Sequence, residues 1–130
     1  MAYAEKTQVP SSKTKVEIET LLRKVGATTF GTAQEGAKAL VFFRLKDRMV
    51  RFTLDLPENE QQERTRWRAL LLVVKAKLES VATGLVTFED EFLANTVMSD
   101  GQTVGDVIQP QITENYRVGG PPRLALTGPS

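Results

Sequence analysis

Eight cations fall where they suit phosphate. Arg44, Lys46, Arg48 and Arg51 surround what reads as a turn between two strands, while Arg64, Arg66 and Arg68 crowd the first turns of a long helix, with Lys75 further along. Each arginine offers a planar fork to phosphate oxygens, and a groove lined this way binds a nucleic-acid backbone without reading its bases. The charge is concentrated. Residues 38 to 77 hold ten Lys/Arg against five Asp/Glu, and residues 78 to 130 hold two against seven, so a net charge of +1 conceals a basic and an acidic segment. Cations at a helix start work against its dipole by about 0.3–1 kcal/mol each, which favours a functional cause over a merely solvated face. If the turn and the helix start are adjacent, the eight form one contact face. The competing reading is a solvated face, with Glu60 and Arg64 paired one helical turn apart.

Aromatic residues near these cations offer stacking. Trp67, the only tryptophan, lies among Arg64, Arg66 and Arg68, but it falls in phase with Leu70, Leu71 and Val74, which places it in a core. Phe42 and Phe43 are consecutive in a strand and must point to opposite faces. One of them is therefore a stacking platform or is covered by the last helices, and coverage is the expectation.

Other chemistry is narrower. The chain has no cysteine and no histidine, which removes disulfides, thiolate nucleophiles, the commonest general base and the usual zinc ligands. Residues 31 to 38 show the glycine gap of a phosphate-binding loop, but Lys38 is one place late, no Ser/Thr follows it, and a strand rather than a helix comes next. Glu89, Asp90, Glu91, Asp100 and Asp106 are the only carboxylates that could gather around magnesium. The three consecutive ones diverge by about 100° per residue on a helix, so capping and solvation explain them better. The expectation is a protein that is not an enzyme and needs no cofactor or metal.

Several elements must position these residues. Ile18, Leu21, Leu22 and Val25 have helical spacing, with Thr14 and Glu17 as a capping box and Gly26 as the terminator, which predicts a helix of about four turns. Three strands follow, at about 27–32, 38–45 and 49–56, with turns at 34–36 and 46–48. In the last strand Val50, Phe52, Leu54 and Leu56 alternate with Arg51, Thr53 and Asp55, so Phe52 is expected inside and Arg51 exposed. Residues 59–82 are the strongest periodic segment, with Trp67, Leu70, Leu71, Val74, Leu78 and Val81 on one stripe. Short helices are expected at 88–95 and at 103–116, the second kinked or restarted at Pro110.

The order α-β-β-β-α with two short C-terminal helices predicts an α+β fold, its helices on one face of a three-stranded antiparallel sheet. Residues 1–12 read as an arm, 13–117 as one domain and 118–130 as a flexible tail whose Pro121-Pro122-Arg123-Leu124-Ala125-Leu126 run is a possible peptide ligand. No apolar run reaches the ~18 residues of a membrane span and no secretory signal is visible, so a cytoplasmic monomer or small homo-oligomer is expected.

The Ala-Tyr-Ala-Glu-Lys start, the Lys13-Thr-Lys-Val-Glu-Ile-Glu run with Gly26-Ala27, and Val50-Arg51-Phe52 with Leu56-Pro57 form part of a longer pattern. It continues through Arg66-Trp67-Arg68-Ala69, Lys75-Ala76-Lys77-Leu78-Glu79 and Gly101-Gln-Thr-Val-Gly. Over nearly the whole chain this resembles a family of small proteins encoded by tailed phages and prophages. The resemblance implies a phage or prophage origin and work in the host bacterial cytoplasm, and it carries no functional residue over. The element order is also that of the double-stranded-RNA-binding domain, though without that domain's Gly-Pro-x-His loop or Lys-Lys-x-Ala-Lys helix start. The expected function is non-catalytic contact with nucleic acid during phage DNA or RNA metabolism. The alternative is an inhibitor or adaptor that binds a host or defence protein, using charge complementarity instead.

Overall fold

A computed structural model describes residues 9 to 124. Its elements are α1 (Ser11–Lys24), β1 (Thr29–Glu35), β2 (Lys38–Leu45), β3 (Arg48–Asp55), α2 (Glu60–Ala82), α3 (Phe88–Glu91), a 3-10 turn (Leu93–Asn95) and α4 (Val104–Gly119). The expected α-β-β-β-α order and the antiparallel sheet β1-β2-β3 are both present. Most of the expected 1–12 arm, and the end of the tail with its Ala125-Leu126, lie outside the described residues.

Helix α1 starts earlier than its sequence suggests. Pro10, with φ −59°, precedes the first turn, and no side chain caps it. The expected Thr14–Glu17 capping box is not formed: Thr14 sits inside the helix, fully buried, its backbone N–H donating to the Pro10 carbonyl at 3.2 Å. At the other end Gly26, at φ 91°, donates to Arg23 O (3.1 Å) and Ala27 to Leu22 O (3.0 Å), the paired bonds of a Schellman ending.

Two tight hairpins build the sheet. Glu35 pairs with Lys38 around Gly36-Ala37, so β1 runs through the turn expected at 34–36. Leu45 pairs with Arg48 around Lys46-Asp47, whose φ values of 51° and 64° give the both-positive geometry of a type I′ turn. Asn-Gly usually fills that turn. Here two residues with side chains occupy the left-handed region, at a cost of order 1 kcal/mol each.

Register then decides the faces. Phe43 opposes Val50, and Val41 opposes Phe52, which puts Ala39, Val41, Phe43, Val50 and Phe52 on the buried side. Ile18 and Leu22 of α1, and Trp67, Leu70, Leu71, Val74 and Leu78 of α2, close over them in the phase the sequence shows. Trp67 is buried with Nε1 unbonded, so its indole contributes packing and offers no ring to a ligand. Phe92 completes the core, edge-on to Phe43 (5.7 Å between centroids) and Phe52 (6.2 Å) and tilted against Phe88 (5.1 Å).

The segment after α2 does more than two short helices would. The expected 88–95 helix divides into α3 and the 3-10 turn, after which Val97 donates to Met49 O (2.8 Å) and Thr96 bridges Val50, covering the free edge of β3. Helix α4 is continuous from 104 to 119. Thr103 and Asp106 form its capping box, a tie absent from the sequence expectation, and Pro110 lies inside without ending it. Among the described residues no helix is long and apolar enough to cross a membrane.

Candidate nucleic-acid interface

The pleat sends alternate residues of β2 and β3 to a second, outer face: Leu40, Phe42 and Arg44 on one strand, Met49, Arg51, Thr53 and Asp55 on the other. Helices α1 and α2 cover the opposite face, and α4 packs on the 3-10 turn. On that outer face Arg51, which pairs with Phe42, meets Gly101 and Asp106 at the start of α4. Phe42 is half-buried, and its ring lies across β1 at Gly31, where a Cβ would stand 3.0 Å from the ring tip. Glycine at 31 is what lets the ring settle over the neighbouring strand.

Three cations gather at the Lys46-Asp47 tip. Arg44 and Lys46 are exposed and Arg48 is half-buried, and among the described residues none of the three has an ion pair. The end of α1 comes to the same end of the sheet, because Thr28 donates to Arg44 O (3.2 Å) and the Arg23 guanidinium stands 5.3 Å from the ring of Phe30, the partner of Phe43. Arg23 therefore joins the basic end, although sequence reasoning passed over it. The signal was available: two cations close the helix just before a strand that must return along Arg44.

The other cations are elsewhere. At roughly 3.3 Å per residue, β3 places the tip and the start of α2 about 25 Å apart, so the single face expected for all eight does not form. Arg51, expected to be exposed, keeps 28% of its side-chain surface; it donates to Gly101 O (3.0 Å) and faces Asp106 at 3.7 Å. Arg66 lies near Asp55, at the base of the hairpin. Arg64 is half-buried and donates to Gln61 Oε1 (2.8 Å), with no ion pair to Glu60. Arg68 pairs with Glu17 of α1 at 2.8 Å. Lys75 is exposed beside a groove of about 410 Å³ between α1 and α2, floored by Val16, Leu21 and Leu72 and rimmed by Lys24 and Arg68.

Electrostatics separate the two ends of the outer face. At the base, Lys38 Nζ donates to Asp55 at 2.7 Å, and this bond, then the lysine charge and more weakly Arg66, holds the Asp55 carboxyl below its ordinary range. That end is neutralised, whereas the tip is not.

The remaining motifs have structural roles. Gly31 to Lys38 spans β1 and its turn, with no helix start to cradle a phosphate. Glu91 holds Lys77 (3.1 Å), Asp100 accepts from Gln102 N (3.0 Å), and Asp106 caps α4. Among the described residues no three carboxylates converge on a point that suits a metal. No protein-family model, curated protein or solved structure matches the chain.

Proposed function

We propose that this chain is a non-catalytic binding protein of a phage or prophage that contacts nucleic acid in the bacterial cytoplasm, through the tip and outer face of the β2–β3 hairpin. The observation that carries the reading is the set of cations Arg44, Lys46 and Arg48 around the Lys46-Asp47 turn, which have no ion pair among the described residues, next to the outward, half-buried Phe42. Backbone phosphates meet the cations, and Phe42 stacks on a base. Stacking requires an unpaired base, so a single strand is favoured over a duplex. The left-handed turn supports the same reading, since strain retained in a hairpin marks a position held for more than folding.

Fluorescence anisotropy with labelled single-stranded DNA, single-stranded RNA and duplex DNA over a salt series tests it. Three phosphate contacts on a single strand give a slope of log K against log salt near −2, from roughly −0.7 per phosphate. Absence of binding at low salt to all three removes the reading. The second reading, an adaptor or inhibitor that grips a host or defence protein, rests on the basic-rimmed apolar groove between α1 and α2.

A further inference from the structure

The two edges of the sheet differ. Thr96 and Val97 cover β3, whereas among the described residues nothing pairs with the outer edge of β1. The two-residue turn makes Glu35–Lys38 a closing, hydrogen-bonded pair, so Ala33 and Gly31 also direct their backbone groups at β2. Phe30, Thr32 and Gln34 then aim their N–H and C=O groups outward. The usual protections of an edge are missing: Thr29–Glu35 contains no proline and no lysine, and its pairing with β2 runs without a bulge.

Charge identifies the occupant. Glu35 is the single charged residue of β1; it is exposed, and Lys38 opposite it bonds Asp55 instead. At the other end of the strand Thr29 lies beside Arg44 on the same outer face, and among the described residues neither Glu35 nor Arg44 has an ion pair. A second β1 laid antiparallel to the first and centred on Thr32 brings its Glu35 to Thr29. At two strand spacings, about 10 Å of backbone separation, the glutamate and arginine side chains reach each other across that small residue. The two Glu35 carboxylates themselves stay about 20 Å apart, at six residues of strand. No other antiparallel centring pairs all three outward residues of each strand with those of the other.

We infer that β1 is a self-association edge that pairs antiparallel with β1 of a second copy about a two-fold axis at Thr32, held by backbone bonds and two Glu35–Arg44 pairs. Gly31 of each copy meets Ala33 of the other, so no bulky side chain obstructs the junction on the outer face. The contact is isologous, and the covered β3 edges stop growth at two copies. A seven-residue edge is a small contact. The dimer is accordingly weak and concentration-dependent. It does not depend on nucleic-acid contact; where both occur, phosphate and Glu35 compete for Arg44.

Sedimentation of the full chain from micromolar to millimolar concentration is expected to show a monomer–dimer equilibrium. Amide hydrogen exchange then locates the contact: protection at Phe30, Thr32 and Gln34 should rise with protein concentration, while Gly31 and Ala33, already bonded to β2, should not change. Thr32→Pro removes an N–H that faces solvent in the monomer, so it should abolish the dimer and keep the circular dichroism of the fold. Glu35→Arg and Arg44→Glu should each lose the dimer, and the two together should restore it. A monomer at millimolar concentration, a dimer whose edge amides exchange independently of concentration, or a charge-swapped double variant that stays monomeric each overturns the inference.

Discussion

Phe42 and Phe43 are neighbours in β2 with identical side chains, yet they belong to different worlds. Phe43 is fully buried against Phe92 beneath α1 and α2, whereas Phe42 lies on the outer face, half-buried, with its ring over Gly31. The cations divide in the same way. Arg64, Arg66 and Arg68 belong to the helix layer, and two of them are engaged by Gln61 and Glu17. Arg44 and Lys46 belong to the hairpin tip, and among the described residues no acid engages them. A cation's value for binding is therefore set by which layer it occupies and whether a carboxylate already holds it, not by its place in a basic run.

The largest expected effect tests the two phenylalanines against each other. Phe43→Ala should cost about 3–5 kcal/mol of stability in urea denaturation, since a cavity opens beside Phe92. Phe42→Ala should cost less than about half of that. Equal losses would mean that the outer face is core in solution. In binding the order reverses: Phe42→Ala should weaken single-strand affinity by roughly 1–3 kcal/mol, and Phe42→Trp should retain it. Loss of affinity in the Trp variant would show that Phe42 acts through packing rather than stacking.

The cations give the next, smaller contrast. Arg44→Ala combined with Lys46→Ala should flatten the salt slope by about 1.4, at roughly 0.7 per phosphate, without sequence dependence. Arg64→Ala combined with Arg68→Ala should leave it unchanged. Equal flattening by both pairs would join the two faces into the single surface that the geometry separates.

The sequence displays local periodicity well and long-range contact poorly. The Val50/Phe52/Leu54 alternation and the Trp67-to-Leu78 stripe were legible because burial on one side imprints a period on neighbouring residues. The Gly26 ending was legible for a similar reason. Arg51 looked exposed because its partners, Gly101 and Asp106, lie about fifty residues away on a segment that returns to cover the edge of β3. Thr14 and Glu17 have capping-box spacing, but helix starts are decided by where the chain first packs, and Pro10 lets α1 begin before them. Pro110 suggested a kink or a restart, and the restart is not observed. The firm Thr103–Asp106 cap holds the first turn of α4, and the helix passes through the proline. For the site, the clustering of Arg44, Lys46 and Arg48 at one turn was legible from their spacing, but their separation from the α2 start depended on converting strand length into distance.

Asp47→Gly sharpens the same contrast from the side of folding. Glycine occupies φ 64° without a Cβ clash, so this variant should gain up to about 1 kcal/mol in urea denaturation. A turn held for binding would lose affinity as it relaxes and lets Lys46 wander. Unchanged affinity would assign the strain to folding history alone.

The smallest effect concerns the neutralised base of the outer face. Lys38 and Asp55 are mostly exposed, with 67% and 76% of their side-chain surfaces in solvent, so their bond contributes little to stability. Its electrostatic signature is still measurable. Because the folded carboxyl sits below its unfolded value, the contribution is fully present above the unfolded pKa of about 3.9 and disappears as pH falls through the folded one. A carbon-detected NMR titration should place Asp55 below the ordinary carboxylate range, and Lys38→Met should move it back most of the way, leaving the lesser influence of Arg66. A consequence for binding follows. The chain has no histidine, and the Asp55 carboxyl is held below its ordinary range, so it keeps its charge from neutrality down to about pH 5. Affinity for a single strand should therefore be flat across that window at fixed salt. A marked rise toward pH 5 would mean that a carboxylate elsewhere opposes the phosphates, and the tip would no longer be the site that meets them.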